Sequence, residues 1–224
     1  MSGITLVIGN QNYSSWSLRP WLFLCHHQIP FTCRKVSLFV ETTAADLTPY
    51  FSDAKVPVLQ DGDLEVWDSL AILEYLGERF PEKPGWPRES GARAVARAVS
   101  AEMHSSLFDL RGELPMNCRR RFPDFKPSAA ARRDIERVLN IWRLCRETYG
   151  EDGPWLFGNF SVADCMFAPA VLRLISYEVV LDDVAREYSE TVYSSPAIQE
   201  WVAAGKAEAE VIKADEADWP SVAI

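Results

Sequence analysis

Near the start of the chain, in "NYSSWSLRPW" from Asn12 to Trp21, four residues bear a hydroxyl: Tyr13, Ser14, Ser15 and Ser17. A hydroxyl cannot exchange disulfides as a cysteine pair does, but it can donate a hydrogen bond. Placed beside a thiol at the positive end of a helix, such a donor favours the ionised sulfur. That raises a reactive fraction which is only a few per cent for a free thiol of pKa near 8.5 at neutral pH. The plain alternative is that the serines cap a helix, which is the better reading for Ser17.

Other residue types with chemical potential lie downstream. Val56-Pro57 opens an apolar run, and a proline entering a strand donates nothing to the ladder, so it belongs at an edge or in a special turn. Asp68-Ser69 precedes a helix expected to start near Leu70, where small polar residues act as an N-cap and the free N–H groups also suit a carboxylate. Lys55 offers a cation, or is simply an exposed lysine. Glu102 and His104 fall on a later helix, where a lone histidine is more often structural. Arg19 either orients the serine turn or forms a surface ion pair. His26-His27 are adjacent and do not share a helix face, and no carboxylate or cysteine cluster completes a metal site.

These residues need elements to hold them. "ITLVI" reads as a strand buried on both faces, and "LRPWLFLCHHQI" as a helix starting near Ser17, with Pro20 in its first turn and Ser14 and Ser15 in the loop before it. "FTCRKVSLFV" predicts a second strand, and "VPVLQDGDLEVWDS" two short ones around Asp61-Gly62. "SLAILEYLGERF" places Leu70, Leu73 and Leu76 at helical spacing. A run crowded with Pro81, Pro84, Gly85 and Pro87 then marks a boundary: residues 1–81 as a first domain, 82–91 as a linker and 92–224 as a second domain.

The second domain reads as all-helical. "ARAVARAVSAEMHSSLFDLRGEL" and "AAARRDIERVLNIWRLCRETYG" carry helical periodicity, separated by a proline-containing loop. "SVADCMFAPAVLRLISYEVV" predicts a buried helix kinked at Pro169, opened by a capping box from Ser161 and Asp164 with Phe160 as its staple. Arg119-Arg120-Arg121 reads as a solvated loop face. The tryptophans, Trp16 to Trp155, read as core or interface.

Composition sets the limits. With 224 residues, 48% hydrophobic, 25% charged and a formal net charge of −9, the chain reads as a soluble protein whose main partner is neither nucleic acid nor an acidic membrane surface. An anionic ligand would need a locally built site. The five cysteines, at 25, 33, 118, 145 and 165, form no C-x-x-C pair; with no leader and no apolar run of about 20 residues, a reducing cytoplasm is expected.

Three motifs tie this layout to a family. "YSSWSLR", "KVPVL" and "WDSLAILEYL" resemble the glutathione-binding elements of the cytosolic glutathione S-transferases, and "LFGNFSVADCMFAP" resembles that family's second-domain motif. The resemblance covers nearly the whole chain and is nearest to the serine-type members, especially zeta-like bacterial ones, although Trp16 stands where the zeta motif has a cysteine. It implies a thioredoxin-like N-terminal domain followed by an all-helical C-terminal domain. It further implies Ser14, with Ser15 second, as the donor to the glutathione sulfur. A cis Val56-Pro57 bond would pair with the tripeptide, Asp68 and Ser69 would meet its γ-glutamyl end, and Lys55 its glycyl carboxylate. Trp16, Arg19, Glu102 and His104 would line the cleft for a small apolar electrophile. No metal is implied, glutathione is the co-substrate, and a homodimer is expected. The other outcomes are a glutathione-binding or interaction protein without catalysis, or a glutathione-dependent isomerase.

Overall fold

A computed structural model describes residues 3–224. The apolar run nearest the start forms β1 (Ile4–Ile8), and its continuous burial follows from its place inside a four-stranded sheet. α1 (Ser15–His26) crosses to β2 (Phe31–Lys35), which pairs parallel to β1, Ile4 opposite Phe31. A short α2 (Thr43–Leu47) follows, then β3 (Val58–Asp61) and β4 (Leu64–Trp67). β3 lies antiparallel to β1, with Val7 opposite Val58, and the sheet order is β2-β1-β3-β4. Gly62, at φ 62°, supplies the left-handed residue that the tight β3–β4 connection requires. α3 (Ser69–Arg79) then packs against α1.

Two local expectations fail for stated reasons. β2 ends at Lys35 instead of running on through "VSLFV": Val36 still donates to the Ile8 carbonyl at 2.8 Å, but Leu38 N–H turns to the Asn10 side chain, also at 2.8 Å. α1 starts at Ser15, two residues before the expected place, because the Ser14 carbonyl already accepts from Leu18 N–H at 3.2 Å. Pro20 therefore sits beyond the first turn, and Ser15 lies inside the helix.

The rest of the chain is helical, apart from a two-stranded ribbon of β5 (Arg120–Arg121) and β6 (Val222–Ala223). What reads as one helix after the linker is two, α4 (Ser90–Ser105) and α5 (Phe108–Glu113), broken where Leu107 adopts φ 60°. α6 (Ala129–Tyr149) matches its periodic stretch. α7 (Val162–Ser176) continues through Pro169 and is buried almost all round, as a helix without a polar face must be. It packs against α1, α4 and α8 (Asp183–Ser194), and α9 (Pro196–Ala207) closes on α1 and α8. Trp21, Trp142 and Trp201 are core, whereas Trp67 is 44% exposed. Among the described residues no helix is long and apolar enough to cross a membrane.

Candidate functional site at the carboxyl end of β1

Strand directions gather the three sequence motifs. β1 and β4 run the same way on either side of the antiparallel β3, so the turn after β1, the approach to β3 and the turn after β4 share one edge of the sheet. Extending the β1–β3 register puts Gly9 opposite Val56. A Cβ at Gly9 would meet Val56 Cγ2 at 3.2 Å and Leu38 Cδ1 at 2.4 Å, so a larger residue there would have to displace the Leu38 side chain. The Val56-Pro57 peptide bond is cis, and Pro57 is buried.

Ser14 occupies the N-cap position of α1 but caps nothing with its side chain. Its hydroxyl donates to Ser17 Oγ at 2.8 Å, and Ser17 Oγ accepts from Gly9 N–H at 3.1 Å. Ser17 is thus not the expected cap: it ties the end of β1 to Ser14, and all three groups are buried. A hydroxyl proton rotates at little cost, so the same pair also runs in the order Gly9 N–H to Ser17 to Ser14, which frees the Ser14 proton for an acceptor at the helix N-terminus. Ser15 accepts from Arg173 Nη2 at 3.2 Å and keeps its own proton to donate.

Asp68 and Ser69 open α3. Asp68, held at φ 73°, accepts from Leu70 and Ala71 N–H at 2.9 and 3.2 Å through one oxygen and faces His104 Nε2 at 2.6 Å through the other. The histidine stands where the motif suggested a ligand amino group. Ser69 is buried, and its Oγ accepts from Arg19 Nη1 at 3.1 Å. Arg19 is therefore not a surface ion pair: it is 1% exposed, and its guanidinium lies 4.2 Å over the Trp16 ring. Trp16 also meets His104 edge-on, with centroids 5.4 Å apart, so Trp16, Arg19, His104, Asp68 and Ser69 form one cluster with the serines.

Two candidates stand apart. Glu102 is drawn to α6, where both of its oxygens hold Arg137, at 2.6 and 2.8 Å. Lys55 is 76% exposed at its side chain and pairs with Asp53 at 3.0 Å. His26 stacks on Phe160 at 3.6 Å between centroids, beside His27, and among the described residues no group of His, Cys, Asp and Glu is placed to hold a metal.

Two further arginines approach this cluster, one at Trp16 and one at Ser15. Arg111, from α5, lies 5.2 Å over the Trp16 ring, and the α7 residue Arg173 bonds Ser15 and the carbonyls of Arg111 and Leu114. Burial, then the charges of Arg111 and Arg173, pull Arg19 down to about 9; burial first also lowers Arg173, to about 10. Both stay cationic at neutral pH. This is a positive site built locally in an acidic chain.

Residues that the sequence did not single out hold the serine turn in place. The buried Glu208 carboxylate accepts from Gln11 and Asn12 N–H at 2.9 and 3.0 Å and pairs with Lys35 at 3.0 Å. Arg119, expected on a solvated face, donates to Tyr13 Oη at 2.6 Å and to the Glu208 and Glu210 carbonyls at 2.6 and 2.9 Å. Tyr13 Oη in turn donates to Glu216, which occupies its proton, and burial followed by that contact raises its pKa.

Residues 13–79 match the family model "Glutathione S-transferase, N-terminal domain". The chain is 28% identical to Glutathione S-transferase 1 of Dianthus caryophyllus over 72% of its own length and 73% of that protein's. It is 26% identical to a Stringent starvation protein A homolog of Haemophilus ducreyi over 58% of its length, and there it spans little more than half of the relative, 55%. A glutathione transferase homolog from Burkholderia GL BGR1, solved with bound glutathione, superposes with a TM-score of 0.68 at 24% identity, covering 91% of this chain and 98% of that one. The chain therefore has the glutathione S-transferase fold, a thioredoxin-like sheet domain followed by a helical domain, and its residues 13–79 match the model of that family's N-terminal domain.

Proposed function

We propose that the protein is a serine-type glutathione transferase, nearest to the zeta-like members. Residues 1–81 bind the tripeptide, and an electrophile is held against the helices of residues 92–224. The observation that carries this reading is the chain from Gly9 N–H through Ser17 to Ser14 at the N-terminus of α1, which has no side-chain cap of its own. With the tripeptide bound, Ser14 donates to its sulfur while Ser17 donates to Ser14. The helix dipole and the nearby guanidiniums add to the stabilisation of the thiolate. Ser15, polarised by Arg173, is the second donor. Val56 offers its backbone to the cysteinyl unit, and the N–H groups at Ser69 and its hydroxyl meet the γ-glutamyl carboxylate, with Arg19 behind them. Thiolate attack on the electrophile forms the C–S bond, the leaving group departs with its electron pair, and the thiol proton has already passed to solvent. Lys55 reaches the glycyl carboxylate only by leaving Asp53, and Asp68 reaches the tripeptide's amino group only by leaving His104.

In the same reading the enzyme is a cytoplasmic homodimer, and a sedimentation experiment that returned a monomer would remove that part. A second reading, a glutathione-binding or interaction protein without useful catalysis, is favoured by the starvation-protein relatives. Calorimetric titration with glutathione, followed by conjugation assays on chloronitroarenes, separates the two. Heat with turnover supports the transferase, heat without turnover across a broad electrophile panel supports the binding protein, and no heat removes both. Turnover of a cis double bond in place of conjugation would make it an isomerase.

A further inference from the structure

The turn that carries Ser14 is held from outside by the part of the chain that comes last. Within its own domain it is tied at Asn10, whose carbonyl accepts from Tyr13 and Ser14 N–H at 3.2 and 2.8 Å. Its outer side is gripped by the end of α9 and the segment beyond. The two Glu208 oxygens take successive N–H groups, Gln11 on one and Asn12 on the other, and a Cβ at Gly205 would meet Asn12 N and Cα at 3.1 Å each. Asn12 Oδ1 accepts from Cys118 and Arg119 N–H at 2.8 and 3.1 Å, and Glu216 accepts from Tyr13 Oη. On the other side of Ser14, Asp215 lies within electrostatic reach of Arg173, which donates to Ser15. The tail is itself fixed: β6 pairs with β5, Ile224 N–H donates to the Arg119 carbonyl at 3.0 Å, and Trp219 Nε1 donates to the Pro123 carbonyl at 3.0 Å.

Stability alone does not account for Glu208. Its side chain is 4% exposed, and in a buried ion pair such as that with Lys35 the cost of desolvation offsets much of the attraction. What a carboxylate does supply is direction, because two oxygens fixed in one plane hold two consecutive N–H groups in one orientation. Those groups lie in the loop that separates Gly9 N–H from Ser14 Oγ, the two ends of the hydroxyl chain through Ser17. A reacting group misplaced by about 1 Å loses about a hundredfold in rate, so the setting of this loop bears on the chemistry. We infer that Glu208 is a positioning residue for the thiol site, setting where the Ser14 hydroxyl points through the backbone of Gln11 and Asn12. The inference rests on the transferase reading and deepens it.

The test is a double-mutant cycle of Glu208→Gln with Ser14→Ala, assayed on 1-chloro-2,4-dinitrobenzene. Glutamine keeps the size but turns an amide NH2 towards a group that needs an acceptor. Alone, Glu208→Gln should lower kcat about tenfold, leave the KM for glutathione within about twofold and raise the pH of half-maximal activity. In the Ser14→Ala background the same substitution should change kcat by less than about twofold, because the hydroxyl it positions is gone. A general loss of folding acts alike in both backgrounds, so equal effects in the two would overturn the inference, as would an unchanged kcat or pH profile in Glu208→Gln. If a urea titration shows that Glu208→Gln does not fold, Tyr13→Phe, which frees the turn from Glu216 and Arg119, takes its place in the cycle under the same criteria. If glutathione gives heat but no turnover, the ionisation of the bound thiol, followed by thiolate absorbance, takes the place of kcat. No heat with glutathione removes the transferase reading and this inference together, whereas turnover with equal effects in both backgrounds removes the inference alone.

Discussion

α1 and α7 each begin at a buried serine, yet their first turns are finished in opposite ways. At α7 the Asp164 carboxylate accepts from Ser161 N–H at 2.8 Å, Ser161 Oγ at 3.0 Å and Leu156 N–H at 3.0 Å. That turn is closed by its own chain. At α1 the Ser14 side chain caps nothing, no acid lies in the first turn, Arg173 bonds Ser15 and Arg19 lies over Trp16. Here the orphan N–H groups and the positive end of the helix are left to something else. One N-terminus is spent on folding and the other is kept for a ligand, although both read as serine-led helix starts.

This contrast makes measurable claims. The largest effect is expected at the closed end: Asp164→Ala strands two buried N–H groups and should cost about 2–4 kcal/mol of stability in a urea titration at pH 7. At the open end the order reverses. Ser14→Ala should leave stability within about 1 kcal/mol but lower kcat about a hundredfold, as expected for loss of one donor to a developing or stabilised anion. Ser17→Ala, which removes the link to Gly9 N–H, should lower kcat about tenfold through Ser14 and raise the pH at which activity is half-maximal. A Ser17→Ala enzyme with an unchanged pH profile would assign Ser17 to packing alone.

The two helices also meet, since His26 near the C-terminus of α1 stacks on Phe160 just before the α7 cap. Burial, and then the neighbouring His27, push His26 down to about 4. A histidine with a depressed folded pKa binds its proton less readily when folded. Its contribution to stability is therefore present above the ordinary value of about 6.5 and is lost as pH falls from there towards 4. Thermal melts across that window should show the decline, and His26→Phe should flatten it. The smallest effect is expected at Glu102, whose carboxylate serves α6: Glu102→Gln should change kcat/KM by less than about twofold.

The sequence exposed the parts of this site whose signals are local. The β-branched run of β1, the Asp61-Gly62 turn and the serine-led capping box of α7 depend on neighbours within a few residues, and each was found where its pattern put it. The Glu102 and His104 pair held a warning that local reading could have used, because residues two apart on a helix cannot both face one cleft, and the structure selects His104. What stayed hidden depends on distant partners. Glu208 reaches Gln11 and Asn12 across nearly 200 residues of chain, and no spacing rule connects a glutamate after α9 to the turn after β1. Arg119 sat in a basic run that composition assigns to solvent, and Arg173 lay on a helix whose apolar surroundings masked it.

The central claim is that the open N-terminus of α1 lowers the pKa of a bound thiol, and it can be read directly from thiolate absorbance near 240 nm as glutathione is titrated on the enzyme (about 240 nm being the usual range for a thiolate). The bound thiol should ionise one to two pH units, roughly, below the free thiol near 8.5, and the shift should vanish in Ser14→Ala while binding is retained. A bound thiol that ionises at the same pH as the free tripeptide, or a shift untouched by Ser14→Ala, would contradict it.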